Sequence, residues 1–238
     1  MIATIINCVT VIVGTAIGVL FHARIKESFR SIVFTGIGLI SLIIGIKMSL
    51  ATTMILAAAF ALVFGGLIGH ALRIEDAMLA FGDRLGRRFG GKSGVSEFAH
   101  GFLTATVLFC VGAMTIVGSL KAGVSGDYEL LLTKSAMDGF MSIMLSASMG
   151  VGVGFSALVI LVYQGGLTLL ATVIEPLLSP LALSELEGVG GMLVVMIGLN
   201  LLSLKSIKTA NFIPALVFAL LFAVLAPLVK PLLAGIGM

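Results

Sequence analysis

The sequence has little charge and only two cysteines, and each shortage limits what the protein can be. Of the 238 residues, 11% are charged and 59% are hydrophobic. A water-soluble fold needs more charged side chains than this to cover a core of that size. The two cysteines, Cys8 and Cys110, lie in separate apolar stretches without a paired-thiol motif, so we interpret them as small hydrophobic residues with no redox role. The mean hydropathy of +1.24 indicates instead a chain whose solvent is lipid.

The residue patterns of catalytic and metal sites are also missing. There is no nucleophile elbow, no pair of carboxylates on one helix and no His-Glu-x-x-His sequence, so we expect neither an enzyme nor a cofactor. Residues 90–94 contain Gly-Lys-Ser but lack the spaced first glycine and the preceding strand of a phosphate loop, and we interpret them as a flexible joint. The three histidines, His22, His70 and His100, fall at predicted span ends without zinc-binding spacing. No metal site is therefore expected.

Long apolar runs determine the predicted fold class. Their length of about 18 to 22 residues suits helices that cross a bilayer, whereas barrel strands of about ten residues alternate between apolar and polar positions. Helices also satisfy the backbone hydrogen bonds that lipid cannot. The sequence predicts an all-α, polytopic protein with a single transmembrane domain over residues 1–238. Eight spans are predicted, at residues 3–21, 30–48, 52–72, 101–120, 131–149, 153–176, 187–204 and 210–229.

The division between the fifth and sixth spans depends on a cluster of glycines. Gly150, Gly152 and Gly154 are the only interruption in a long apolar tract. Residues 131–176 therefore form either two full spans or one span with a re-entrant segment.

The basic residues predict the orientation of the chain. Under the eight-span count, ten of the 14 Lys and Arg residues fall on one side, which is then cytoplasmic. Both termini are expected outside the cytoplasm. The net charge of +3 reflects this topology and gives no reason to expect a nucleic-acid partner. The basic residues of the cytoplasmic side are Arg24, Lys26, Arg30, Arg73, Arg84, Arg87, Arg88, Lys92, Lys205 and Lys208.

The one sizeable polar insert, residues 73–99, begins as an amphipathic helix. Apolar side chains recur there at spacings of three and four, with acidic and basic residues between them. We expect this helix to lie on the cytoplasmic membrane surface, with its arginines near anionic headgroups.

Two segments of the chain resemble each other. Gly38-Leu-Ile-Ser-Leu-Ile-Ile-Gly45 and Gly191-Met-Leu-Val-Val-Met-Ile-Gly198 share their glycine spacing, and a polar turn and an apolar span follow each one. In the predicted topology they run in opposite directions. Spans 1–3 and 6–8 are therefore interpreted as an inverted repeat, with chance similarity between apolar sequences as the alternative.

The glycines also provide small surfaces one helical turn apart. Gly14 with Gly18, and Gly65 with Gly69, predict close helix contacts within one protomer, with a homo-oligomer interface as the alternative.

Charged groups within predicted spans are the main functional candidates, because a charge at depth costs at least about 2.5 kcal/mol unless it is paired or hydrated. Lys134 and Asp138 are four residues apart and share one face of the fifth span. Ser142 and Ser146 continue the face of Asp138 as a polar strip that is expected to line a solute or ion path. The alternative is a structural ion pair, with serines that bond back to their own helix.

Three amides lie in other apolar spans. Asn7, Gln164 and Asn200 each need a hydrogen-bonding partner there. Asn7 and Asn200 are expected to converge with the fifth span near the middle of the membrane and to extend the path, whereas ordinary interhelical hydrogen bonds are the alternative.

The central part of the chain resembles a known family. Five segments of the sequence carry the resemblance, and they are Val107-Leu-Phe-Cys-Val-Gly-Ala-Met-Thr-Ile-Val-Gly-Ser119, Gly126-Asp127, Leu132-Thr-Lys-Ser135, Asp138-Gly-Phe140 and Gly150-Val-Gly-Val153. They are similar to the uncharacterised bacterial inner-membrane family that includes YqgA and YdfK. The resemblance extends over the whole chain. It implies a bacterial inner membrane, and it supplies no substrate or catalytic residue.

The favoured function is a transporter or channel for a small solute or ion, with the lipid bilayer as the other partner. A membrane scaffold or regulatory protein is the first alternative, although little apart from residues 73–99 protrudes to bind a soluble partner. A membrane enzyme is a distant third, because no catalytic set is present.

Overall fold

The computed structural model describes residues 1–22, 27–89, 95–110, 113–174 and 179–234, and every regular element within them is helical. The predicted all-α class is confirmed. The joint predicted at 90–94 and the loop residues Arg24 and Lys26 lie outside the described residues. The α-helices are α1 Ile2–His22, α2 Glu27–Ser49, α3 Ile55–Ala71, α4 Ile74–Phe89, α5 Val95–Cys110, α6 Ala113–Val124, α7 Glu129–Met149, α8 Ser156–Leu169, α9 Ala171–Ile174, α10 Pro180–Leu201 and α11 Pro214–Ala234.

Several of these helices are long and apolar enough to cross a membrane. Within the described residues, four helical stretches meet that condition alone, at Ile2–Phe21, Glu129–Leu169, Pro180–Leu201 and Thr209–Pro227. Two bent pairs raise the number to six if each pair is one span, namely α3 with α4 and α5 with α6. The protein is thus an all-helical membrane protein, and the count of eight spans stays a prediction.

The span predicted at 101–120 is two helices in the structure. α5 begins at Val95 and ends at Cys110, α6 begins at Ala113, and the two axes differ in direction by 60°. The Thr115 hydroxyl donates to the carbonyl oxygen of Phe109 at 3.2 Å, so it satisfies one backbone acceptor at the end of α5. The sequence did not predict this break.

The long apolar stretch from Glu129 to Leu169 reverses direction at its glycines. α7 runs parallel to α1, because Gly14 packs against Ser142 and Gly18 against Ser146. α8 runs antiparallel to α1, because the next contacts pair Thr15 with Gly154, Cys8 with Ala157 and Thr4 with Gln164. The reversal takes place in a 3-10 helix, Gly150–Phe155, whose first glycine has φ of +76°.

The two glycine segments that resemble each other pack together in the structure. Gly38 of α2 packs against Gly198 of α10, and Gly45 packs against Gly191. When the two segments are aligned, Gly38 corresponds to Gly191 and Gly45 corresponds to Gly198. The contact of Gly38 with Gly198 is then equivalent to the contact of Gly191 with Gly45. Such reciprocity is characteristic of a two-fold relationship. α3 and α11 are also antiparallel, with Gly65 on Ala215 and Gly69 on Asn211.

The predicted amphipathic segment contains α4, which packs against α5. The rings of Phe81 and Phe102 have centroids 5.8 Å apart, and Gly82 brings the α4 backbone close to Ala99. At the start of α4, Asp76 forms a 2.7 Å ion pair with Lys208 of the segment before α11. The placement of α4 on the membrane surface stays a prediction.

Candidate functional site

A buried polar network joins α1, α7 and α8. On α7, one helical turn brings the Lys134 ammonium to the Asp138 carboxylate, and the two form an ion pair. From α1, the Asn7 amide nitrogen donates to Asp138 Oδ2 at 3.0 Å and to Gln164 Oε1 at 3.0 Å. Gln164 on α8 donates in turn to the Thr4 hydroxyl at 3.2 Å. Four of the predicted residues, Lys134, Asp138, Asn7 and Gln164, therefore come together.

The network is almost fully removed from the surface of the molecule. Asn7 and Gln164 are 0% exposed, Lys134 is 5% and Asp138 is 8% exposed. Its one cation and one anion cancel, so the network carries no net charge. Loss of either charge would leave the other unpaired in a medium of low dielectric constant, which is far more costly than loss of both.

One atom of the network has no partner. Asn7 Oδ1 is buried and accepts no hydrogen bond from any described residue. A buried amide oxygen without a donor is uncommon and costs about 1–3 kcal/mol. A water molecule or a cation beside this oxygen would offset that cost.

The broken helix ends close to the network. Cys110, the last residue of α5, lies near both Lys134 and Asp138. α6 begins three residues later and leaves in a different direction. Helix ends inside a membrane protein expose partially charged backbone groups, and transporters commonly bind solutes or ions at such breaks.

The serines of α7 do not form a polar path in this structure. Ser142 and Ser146 are both 0% exposed and donate to backbone carbonyls of their own helix, Ser142 to Gly139 at 2.7 Å. They also face the glycines of α1: a Cβ added to Gly14 would lie 2.1 Å from Ser142 Oγ. No room for water remains between such closely packed helices. Here the serines serve the contact between α1 and α7.

Asn200 does not join the network, contrary to the expected convergence. Its amide nitrogen donates to the Ile207 carbonyl at 2.8 Å, and its Oδ1 accepts from the Ile207 N–H at 2.7 Å. A further bond to Thr209 Oγ1 measures 3.2 Å. Asn200 thus fixes the segment that joins α10 to α11, and it lies on the wall of a separate cavity of about 500 Å³.

Two buried carboxylates were not identified from the sequence as site residues. Glu185 of α10 is 2% exposed and accepts hydrogen bonds from Thr53 N at 2.8 Å and Met54 N at 3.1 Å, so it binds the two backbone N–H groups that come just before α3. Glu75 of α4 is 8% exposed and accepts from Ala210 N at 3.0 Å. Burial raises the pKa of Glu75 above its ordinary value of 4.5.

Local sequence carried no signal for either role. Glu75 lies among the polar residues of an amphipathic helix, and Glu185 lies in a predicted loop. Their partners are more than 130 residues away along the chain.

No three His, Cys, Asp or Glu side chains in the described part of the chain are close enough to hold a metal ion. The functional groups of the buried network are one ammonium, one carboxylate, two amides and a hydroxyl. These groups can bind and exchange protons, water, small cations or polar solutes.

Residues 2–224 match the model of a family described as "Protein of unknown function (DUF554)". The chain is 34% identical over 223 residues to the "Uncharacterized membrane protein YdfK" of Bacillus subtilis (strain 168), which covers 91% of this chain and 93% of the relative. It is 30% identical over 223 residues to the "Uncharacterized protein YqgA" of Escherichia coli (strain K12), with 92% and 95% covered. No solved structure gives a significant match.

Proposed function

The chain belongs to the family of unknown function DUF554, and from that premise and the buried network we propose that it is a transporter or channel for a small solute or ion. One observation carries the proposal: a buried ion pair bonded to an amide whose oxygen lacks a donor. Ionisable groups inside membrane proteins are rare and commonly mark the path of a solute or a proton. The family itself supplies no activity.

A purely structural network has less need for charge. Interhelical hydrogen bonds in membranes contribute on average only about 0.6 kcal/mol each, and neutral amides and hydroxyls supply them at little cost. Lys134 and Asp138 add a desolvation penalty that neutral residues at the same positions avoid. Their presence at 5% and 8% exposure supports a role that requires a charge.

The directions of the helices support eight crossings. α7 and α8 run in opposite directions beside α1, so the stretch Glu129–Leu169 counts as two crossings, and the bent pair α5 and α6 counts as one. α1, α2, α3, α10 and α11 supply the other five. α4 then lies at one membrane face with Lys208, which it contacts through Asp76. The excess of Lys and Arg on that face supports a cytoplasmic location for it in a bacterial inner membrane, with both termini outside.

The reciprocal glycine contacts support an inverted repeat. α1 with α8, α2 with α10 and α3 with α11 are each antiparallel neighbours, as expected if spans 1–3 and 6–8 are related by an axis in the membrane plane. Transporters with such repeats alternate between inward-facing and outward-facing states, and their sites lie near the midplane at broken helices. The break between α5 and α6 beside Lys134 and Asp138 fits that arrangement.

The proposal can be tested in proteoliposomes. Purified protein is reconstituted with an internal pH dye, and pH changes are followed after a proton or potassium gradient is applied. Swelling is recorded in parallel with a panel of small osmolytes. We expect a flux or a permeability that protein-free vesicles lack and that Asp138→Asn reduces at least about tenfold. Wild-type vesicles that behave like empty ones in every assay would favour the scaffold alternative.

A further inference from the structure

A second site lies where the segment between α10 and α11 meets α4 and α5. It is a cavity of about 500 Å³, a volume within the range of small-molecule sites. None of the residues of the Asp138 network lines it.

We propose that this cavity binds a small organic anion, whose acid group contacts Lys205 and His100 and whose apolar part contacts a floor of aliphatic side chains. Binding there is independent of the transport proposed above, because it involves other helices and no translocation step.

The burial of the lining residues separates a rim from a floor. His100, Ser203, Lys205 and Ser206 are exposed and supply an imidazole, an ammonium and two hydroxyl groups at the rim. The aliphatic residues beneath them are at most 9% exposed, and they are Leu103, Val107, Ile197 and Leu201. A ligand that satisfies both zones has a polar head and a short apolar body.

The charges at the rim favour an anion. Neither Lys205 nor His100 forms an ion pair with any described residue, so both remain available to a ligand. Among the described residues that line the cavity, Glu75 is the single acidic one. Its Oε2 already accepts from Ala210 N, so that oxygen is engaged with the backbone.

The wall that carries Lys205 is held in place before any ligand binds. Asn200 bonds to both backbone groups of Ile207. Ser203 has φ of +55° and ends α10 in a left-handed C-terminal motif, in which Ser203 N donates to Asn200 O and Leu204 N to Leu199 O. A preformed wall reduces the entropy that is lost when a ligand is bound.

The binding test uses the full chain in detergent and butyrate as the probe. A ligand that binds the folded state raises the midpoint of thermal unfolding as its concentration increases. We expect sodium butyrate to raise the midpoint relative to sodium chloride at equal ionic strength. Lys205→Gln should weaken the apparent affinity about tenfold or more, as expected for loss of a charge-assisted contact. The control Lys121→Gln changes an exposed lysine that pairs with Asp127 away from the cavity and should keep the full shift.

Further arms identify the ligand class. Val107→Thr, which adds a hydroxyl to the floor, should weaken butyrate and leave inorganic phosphate unaffected. Equal shifts from butyrate and phosphate, or equal butyrate shifts in the Lys205 and Lys121 variants, would overturn the proposal. Nanodiscs of phosphatidylcholine and phosphatidylglycerol separate a lipid headgroup from a free anion. The proposal would also be overturned if phosphatidylglycerol raises the unfolding midpoint of the wild type but not of Lys205→Gln, and butyrate then causes no further increase.

Discussion

Asn7 donates a 3.0 Å hydrogen bond to Asp138, and this contact between α1 and α7 connects an ion pair to an unsatisfied amide oxygen. The single cation and single anion of the network are on the same helix, four residues apart. Their separate and joint removal therefore distinguishes a structural role from a functional one.

The first prediction concerns this ion pair. Asp138→Asn keeps the size of the side chain but leaves Lys134 without a counter-charge, so we expect a loss of about 3 kcal/mol in the free energy of unfolding. The double variant Lys134→Gln with Asp138→Asn should recover most of that loss, because no unpaired charge remains. Unfolding is measured in detergent and flux in proteoliposomes. Recovery of stability without recovery of flux is expected, and a double variant with full flux would refute a transport role.

The second prediction concerns the contact between α1 and α7. Gly14→Ala places a methyl group against Ser142 Oγ and 2.3 Å from the Gly139 carbonyl oxygen, so the helices must separate. Overpacking of this kind costs about 1–3 kcal/mol. The matched control is Gly36→Ala in α2, where no atom lies within 4 Å of the added carbon. That control should be neutral or stabilising, because alanine favours a helix. Equal thermal midpoints for the two variants would contradict the packing described here.

The third prediction concerns pH. Because burial raises the pKa of Glu75, its carboxyl group binds a proton more tightly in the folded protein than in the unfolded chain. Its contribution to stability is complete below about pH 4.5 and decreases as the pH rises through the folded-state pKa. Glu75→Gln keeps an oxygen that can accept from Ala210 N. The variant should therefore match the wild type at low pH and exceed its stability at neutral pH.

Measurement of both proteins at each pH removes the contributions of other groups from this comparison. Asp76, for example, has a pKa lowered by its hydrogen bond with Lys208 and contributes in the opposite sense. A stability difference that does not change with pH would contradict the third prediction.

The fourth prediction concerns topology. In a background without Cys8 and Cys110, Ser125→Cys lies between α6 and α7, and Ser206→Cys lies between α10 and α11; both positions are exposed. With the basic face in the cytoplasm, an impermeant thiol reagent should label position 125 in intact cells and position 206 only after permeabilisation. Labelling of both positions in intact cells would exclude the eight-span arrangement.

The sequence was sufficient for the helical class and for most of the buried network. Lys134 and Asp138 are neighbours by helical periodicity alone, and Asn7 and Gln164 are polar residues in apolar spans that must find partners. The identity of each partner depends on which helices are adjacent. Local periodicity carries no information on that point.

Some residues have other surroundings in the structure than the sequence predicted, and the reason is again that the adjacent helices could not be predicted. Ser142 and Ser146 form a polar strip on an isolated helix, but the glycines of α1 occupy the space in front of them. Asn200 was assigned to the middle of the membrane, yet it is the second-last residue of α10 and bonds to the following segment. The break after Cys110 interrupts an apolar run, and hydropathy alone does not predict it.

The contact between Glu185 and the residues just before α3 also bears on how the protein is made. Thr53 N and its acceptor are separated by 132 residues, so α3 emerges from the ribosome long before the carboxylate that binds the residues at its start. Gly38 and Gly45 of α2 likewise lack their packing partners until α10 has been synthesised. The first three helices therefore enter the bilayer before α10 is present to pack against them. They reach their final arrangement only near the end of translation. A chain truncated before Pro180 should accordingly insert into the membrane but remain sensitive to membrane quality-control proteases.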